Sequence, residues 1–460
     1  MGNQLNVAKK LDQHHQYFNT HRTKDHSFRI KQLEKLQTTI LKYEQQLTDA
    51  LQKDLGKNPV ESYATEIGFV LNSIRETKKK MPRWVKDKKV STPLFLFPSK
   101  SKRHYEPYGT VLIIGPFNYP FQLLIEPLIG AISAGNTIIL KPSEMVPSVS
   151  KVIKEMITDA FDDNYISVIE GDVDTTIELL KHPFDYIFFT GSTTVGKEIM
   201  KAAAEHLTPV TLELGGKSPA IVLKDADIQQ AAKRIIYGKL LNAGQTCVAP
   251  DYVLIQEELK PLFIEECKKF IRLFYGETIQ NSSDFARIVN IKHTTRLKTI
   301  LEESKDEIVF GGRVDLNDRY IEPTLLDSNW ASFTMKDELF GPLLPIIGFQ
   351  DLDKTITQIN NRPKPLALYI FSNDKHTQNK IIHETSSGGI TINNTIFHLV
   401  SPNLPFGGVG NSGMGSYHGK TSFTTFSHER SILSSNKFEV PFIFPPYSDS
   451  SLKWLRRFLK

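Results

Sequence analysis

Cys247 stands in the stretch "NAGQTCVAP" (242–250), among small residues and before a proline, and is one of two cysteines in 460 residues. Such a thiol has two readings. It can be a small buried hydrophobe, or a nucleophile whose thiolate nearby N–H donors favour. A nucleophile needs companions, and the chain offers them. Asn118 in "GPFNYP" (115–120) is flanked by aromatics and prolines. Its amide could be held as an oxyanion donor, or bond its own turn. Glu213 in "ELGGKSP" (213–219) precedes two glycines, which let a ligand or another backbone come close. It could serve as a general base or cap a surface turn. Cys267, beside Glu266 and Lys268 in an amphipathic pattern, has no such company.

Other stretches suit phosphate and ribose. In "FFTGSTTVGKEIM" an apolar run ends at Gly191-Ser192-Thr193-Thr194-Val195-Gly196 and a helical pattern follows. Backbone N–H groups at a helix start can hold phosphate, and Ser192 could equally be an ordinary N-cap. Lys141 and Glu144 in "LKPSE" follow a strand-like run, where ligands of open parallel sheets sit. They could hold ribose hydroxyls or be a solvated turn. The glycine fingerprint GxGxxG occurs at 408–413. Pro402 and Pro405 precede it and no clear helix follows, so it reads as loop rather than a dinucleotide site.

These residues need a scaffold. Phe28, Leu33, Leu36, Ile40, Leu47 and Leu51 predict a long amphipathic helix over 28–55, stopped at Gly56, and a second helix is expected over 61–85. "STPLFLFPSKSK" (91–102) reads as an extended arm. From 109 onward short continuous apolar runs alternate with helical patterns, as in βαβ units around a parallel sheet. The rhythm closes at 208–223 and restarts near 225, so two α/β domains are expected. The glycine-dense 401–416 reads as loop.

Bulk properties narrow the class. The net charge of +5 comes from 56 basic and 51 acidic residues, too small an excess to argue for nucleic acid. Two cysteines build no disulfide framework or CxxC metal pair, so a reducing, cytoplasmic setting and no metal are expected. The start lacks an apolar signal region, and Asn6 spoils a myristoylation motif. The tail "SLKWLRRFLK" (451–460) sets Leu452, Leu455 and Leu459 on one helical face among four basic residues. It could lie on an anionic membrane surface or dock on protein.

The set and order of "GPFNYP", "KPSE", "FTGSTTVG", "LELGGKSP", "NAGQTCVAP", "DELFGP" and "PFGGVGNSGMG" resemble the NAD(P)-dependent aldehyde dehydrogenase superfamily, from about residue 25 to 430. The short N-terminal part and "YHGKTSFTTFSHER" (417–430) resemble its class 3 branch, closest to bacterial members acting on fatty, terpenoid and aromatic aldehydes. The resemblance implies an α/β fold with a Rossmann-like cofactor domain over 1–213, interrupted by an arm at 88–108. A catalytic domain would span 214–416. An oligomerisation element would join 88–108 with 417–442, ahead of a basic tail at 443–460. It implies Cys247 as nucleophile, Asn118 with the Cys247 N–H as oxyanion hole, and Glu213 as base for the hydrolytic water. NAD or NADP would be held by Lys141 and Glu144 at the adenosine ribose and Gly191, Ser192 and Gly196 at the pyrophosphate. Glu338 would hold the nicotinamide ribose, with Phe340 packed near the nicotinamide. A homodimer is implied, cytoplasmic or peripheral at the inner membrane face. Phe117, Tyr119, Phe397 and Phe406 hint at an aromatic entrance. Transfer of the acyl group to coenzyme A, which a base at Glu213 disfavours, and a non-catalytic protein are the alternatives.

Overall fold

The computed structural model describes residues 7–435, 437 and 444–459. The first six residues, 438–443 and 460 carry the expected N-terminal features, the end of the oligomerisation element and parts of the tail, and lie outside the described residues. A helix over Val7–Asn19 buries Val7, Leu11 and His14. The long helix runs His26–Leu55, capped by Asp25, which accepts the Ser27 N–H at 3.0 Å, and ended by Gly56 at φ 66°. Leu33, Leu36, Ile40, Leu47 and Leu51 are fully buried, as their spacing requires.

The expected helix over 61–85 is divided. An α turn at Pro59–Ser62 passes through a π turn, Tyr63–Ile67, into a helix over Gly68–Trp84. The wider turn leaves Glu66 and Ile67 inward together, and π turns of this kind gather at functional sites.

Strands β1 (Lys88–Val90) and β2 (Lys100–Pro107) pair antiparallel. Between them 91–99 is not extended as expected. Pro93 and Pro98 bracket a 3-10 turn at Leu94–Leu96, because proline at both ends denies the strand its ladder hydrogen bonds. Strands β3 (Thr110–Ile114), β4 (Thr137–Lys141), β5 (Ile166–Val168), β6 (Tyr186–Thr190) and β7 (Val210–Glu213) form a parallel sheet in the order β7-β6-β3-β4-β5. Every residue of β3, β4 and β6 is buried, as continuous apolar runs demand when helices cover both faces.

A second sheet begins five residues after β7. It contains β8 (Pro219–Val222), β9 (Tyr252–Gln256), β10 (Ile308–Phe310), β13 (Thr324–Asp327), β14 (Leu343–Phe349), β15 (Ala367–Phe371) and β16 (Gly389–Ile392). Its order is β10-β13-β14-β9-β8-β15-β16, and only β10 runs antiparallel to its neighbour. The short pair β11 (Val314–Asp315) and β12 (Tyr320–Ile321) stands apart. Segment 208–223, which reads as one unit in sequence, is thus shared between two sheets.

The glycine-dense stretch is not all loop. Gly413–Met414 is a strand, β17, antiparallel to β7, with Gly413 opposite Glu213. A side chain at Gly413 would meet the Leu212 carbonyl oxygen at 2.2 Å. Strand β18 (Ser427–Ser434) pairs with β2 over eight positions and completes a three-stranded sheet with β1. A helix covers Asp449–Phe458. Among the described residues no helix is long and apolar enough to cross a membrane.

Candidate active site

Four of the residues singled out in the sequence stand at or just past the carboxyl ends of neighbouring parallel strands. Asn118 follows β3, Lys141 ends β4, Ser192 follows β6 and Glu213 ends β7. Ligands of open α/β sheets bind at these ends.

Cys247 lies on a loop after the helix Ile228–Leu240, at the close of an unusual backbone run. Asn242, Ala243 and Gly244 all have positive φ, at 52°, 52° and 78°. For the two non-glycine residues this costs on the order of 1–2 kcal/mol each, so the surroundings must hold it. The Asn242 N–H donates to Glu61 at 3.0 Å, and its side-chain amide donates to the Asn118 carbonyl at 2.8 Å. Gln245 donates to the Asn242 and Arg287 carbonyls and accepts the Val289 N–H. A Cβ on Gly244 would meet the Gly341 carbonyl at 2.3 Å, so "NAG" and "DELFGP" fit only with glycine there.

Asn118 is buried, and its Nδ2 donates to the Gln245 carbonyl at 3.0 Å rather than to its own turn. A carboxamide has two N–H donors, so one remains for a ligand. Its loop is fastened from below by Lys57 and Glu66, both fully buried and paired. Lys57 donates to the Asn118 carbonyl at 3.1 Å and sits 4.0 Å above the Tyr119 ring. Glu66 accepts the N–H groups of Phe121 and Gln122 at 2.9 and 3.1 Å, where a helix over Gln122–Ala134 begins. The Tyr119 hydroxyl meets the Thr246 hydroxyl at 2.7 Å. The two loops are therefore one unit. No pattern in the sequence marks Lys57 or Glu66, since their role depends on a contact 61 residues away.

The thiol is not poised as an anion. Burial pushes Cys247 up to about 12, the charges of Glu338 and Glu213 add to this, and the N–H groups of Cys247 and Val248 oppose it. In this state burial is the largest influence on the thiol and outweighs the two N–H dipoles. Glu213 is 2% exposed, and neither oxygen has a hydrogen-bond partner among the described residues. Burial alone raises its carboxyl well above the usual range. A buried carboxyl left this way needs water or a reacting group beside it.

Two cavities flank this centre. One, of about 260 Å³, is bordered by Cys247, Thr246 and mostly apolar side chains, among them Phe69, Tyr119, Tyr237, Phe397, Phe406 and Tyr417. Tyr237, Phe397 and Val400 are about half exposed and form its rim. Phe406 is stacked between His398 and His418, which burial pushes down to about 4 and about 3. Of the four aromatics that hinted at an entrance, Phe117 goes elsewhere. It packs edge-on against Phe340 at 5.8 Å and beside His293. Phe69, Tyr237 and His418 come from separate elements and carry no signal in sequence.

The second cavity, of about 370 Å³, joins Ser192, Thr193, Gly215, Gly216, Lys217 and Glu338. Ser192 caps the helix Thr193–Ala204, accepting the Val195 N–H at 3.3 Å, and so takes the N-cap reading, at a helix start that borders this cavity. Gly191 donates to the Glu213 carbonyl at 3.0 Å. A Cβ on Gly196 would meet Leu214 at 2.6 Å, and one on Gly215 would meet the Glu338 carboxylate at 2.2 Å. Lys217 ties the segment to Asp251 and to the carbonyls of Thr334 and Asp337. Burial pushes Glu338 up to about 8, the Asp251 charge adds to this, and the Gly216 N–H and two lysines oppose it. Asn411, from the stretch set aside as loop, borders the same cavity and accepts the Thr193 hydroxyl at 3.0 Å. Lys141 and Glu144 pair with each other at 3.5 Å at the end of β4, and this cavity's wall is built from other residues. Phe340 sits at φ 49° beside Phe117.

A helix N-terminus, glycines that admit close approach and a carboxylate facing the same space fit a nucleotide cofactor. A profile of the aldehyde dehydrogenase family matches residues 1–432. The chain is 54% identical over 456 residues to the 4,4'-diaponeurosporen-aldehyde dehydrogenase of Staphylococcus aureus (strain NCTC 8325 / PS 47), covering 99% of each. It is 48% identical over 417 residues to the dimeric NADP-preferring aldehyde dehydrogenase of Rattus norvegicus, covering 90% of this chain and 92% of that one. A solved structure described as the substrate-bound state of Staphylococcus aureus AldH superposes with a TM-score of 0.97 at 54% identity over 99% of each chain.

Proposed function

The chain belongs to the aldehyde dehydrogenase family, and from that premise we propose how its own residues carry an aldehyde to an acid. The enzyme is NAD(P)-dependent. The reading of the site rests above all on one observation. Cys247 borders an apolar cavity, on a loop bonded to that of the buried Asn118, with the buried Glu213 at the end of the neighbouring strand β7.

In this reading the Cys247 thiol gives up its proton to solvent water and its sulfur adds to the aldehyde carbon. A C–S bond forms and the carbonyl oxygen becomes an oxyanion. The free N–H of Asn118 and the Cys247 backbone N–H take that charge, each contributing on the order of 3 kcal/mol. NAD(P), when bound, would supply the acceptor for the hydride that leaves the carbon. Glu338 and the Ser192 turn would hold it, with Lys141 and Glu144 at the adenosine end and Phe340 beside the reacting ring. The resulting thioester is opened by water, whose proton goes to Glu213. Burial makes that carboxylate, once ionised, a stronger base than a solvated one. Acid is released and the thiol restored.

For substrate we propose medium-to-long apolar or aromatic aldehydes, a reading supported by the aromatic wall beside Cys247 and by a relative named for a diaponeurosporen aldehyde. For organisation we propose a cofactor domain over 1–213, a catalytic domain over 214–416 and a dimer formed through the outer edge of β18. The dimeric relative supports the last point. We also propose that the helix Asp449–Phe458, with Lys453, Arg456 and Arg457 exposed, touches the inner face of an anionic membrane in a cytoplasmic enzyme.

The test is NAD(P)H formation from short, long-chain and aromatic aldehydes, without coenzyme A, with Cys247→Ser alongside. Turnover that vanishes in the variant supports the reading. Equal turnover in both refutes the assignment of the nucleophile.

A further inference from the structure

The apolar cavity beside Cys247 is adjoined by another of about 350 Å³, with Ala64, Phe69, Leu399, Val400 and His418 in both walls. The chemistry of the second cavity is different. Glu126, on the helix Gln122–Ala134, borders it and is 3% exposed. Its Oε1 accepts the Ser73 hydroxyl at 2.6 Å, while Oε2 has no hydrogen-bond partner among the described residues. Burial pushes this carboxyl up to about 7. His418, 4% exposed, stands in the shared wall. Its ring bonds the Leu399 backbone, and Nε2 has no partner among the described residues. Neither group takes part in the chemistry assigned to Cys247, Asn118 and Glu213.

Buried polar atoms are costly when unpaired, and the two side chains that carry these atoms border one cavity; the atoms are covered in this structure, and a small side-chain shift would turn them to a molecule bound there. We propose that this cavity is a polar branch of the substrate site, where Glu126 and His418 bind a hydroxyl group carried on the aldehyde's chain away from the reacting carbon. A hydroxyl suits both partners. It accepts from a neutral carboxyl or donates to an ionised one, and it donates to a bare imidazole nitrogen. The inference rests on Cys247 as nucleophile, which sets the aldehyde carbon in the first cavity.

The experiment compares chain-matched aldehydes with and without a terminal hydroxyl over a range of lengths. It reads the ratio of their kcat/KM values in the wild type, Glu126→Leu and Glu126→Gln. At a favoured length the wild type should prefer the hydroxyaldehyde by about tenfold or more, since a site built for a hydrogen bond rejects the analogue lacking it. Glu126→Leu should lose that preference and Glu126→Gln, which still hydrogen-bonds, should keep part of it. A wild-type ratio near one at every length overturns the branch while leaving the nucleophile assignment intact, whether or not the leucine variant folds. A preference unchanged in either folded variant overturns Glu126's part in it. No turnover of either aldehyde overturns the reading of Cys247 and the branch with it.

Discussion

Replacing Glu338 by glutamine should make Cys247 more reactive toward an alkylating agent, although the replacement damages the enzyme. In the free protein the thiol is held at about 12 against an ordinary value near 9. At neutral pH the thiolate is then about a thousandfold scarcer than for an ordinary cysteine. Burial is the largest cause, and the two carboxylates add to it. Glu338 carries its charge above about pH 8, and removing that charge lowers the thiol's pKa and raises the thiolate fraction there. Iodoacetamide attacks the thiolate. Its rate on Cys247, followed by mass of the labelled peptide, should climb with pH through 9 and beyond without levelling (about 12 being the folded value). Glu338→Gln should react several-fold faster at about pH 9–10, where the carboxylate it replaces is ionised. Cys247→Ser provides the blank, since Cys267 is fully buried. A wild-type rate that levels off below about pH 8, or a variant slower than wild type, would refute this account of the thiol.

Lys57→Met should leave the Glu66 carboxylate buried without its cation and cost about 3–5 kcal/mol of stability; denaturant melts should show it, with a loss of kcat as the Asn118 loop loosens. Gly215→Ala should raise KM for NAD(P) about tenfold or more, because the new methyl would meet the Glu338 carboxylate at 2.2 Å; titration of cofactor at saturating aldehyde checks it. Removing residues 443–460 should weaken co-sedimentation with anionic vesicles and spare neutral ones, and equal sedimentation with and without the tail would remove the membrane proposal.

The alternation of buried strands and helices was legible because fully apolar runs such as β3 and β6 leave little choice but a covered parallel sheet. Strand ends then marked Asn118, Lys141 and Ser192 as residues on the ligand side of the sheet, while Glu213 was marked only by the glycines beside it. What sequence could not tell was how these residues are held. The Lys57–Glu66 pair joins two polar stretches of ordinary appearance. The left-handed run at Asn242 and Ala243 includes an alanine with no intrinsic taste for it, so only its surroundings explain it. The π turn at Tyr63–Ile67 broke the helical periodicity by one residue, too little to notice in a pattern. The upward push on the thiol comes first from burial and then from Glu338 and Glu213, 91 and 34 residues away in the chain, which no local pattern shows.

The wall of the apolar cavity and the clamp on the nucleophile loop are built from largely separate sets of residues. Phe69, Tyr237, Phe397 and His418 shape the space, while Asn118, Gln245, Lys57 and Glu66 hold the reacting groups. Divergence can therefore proceed on one set without disturbing the other. A descendant of this enzyme could shift its diet of aldehydes by single exchanges in the wall, each step leaving a working catalyst for selection to keep.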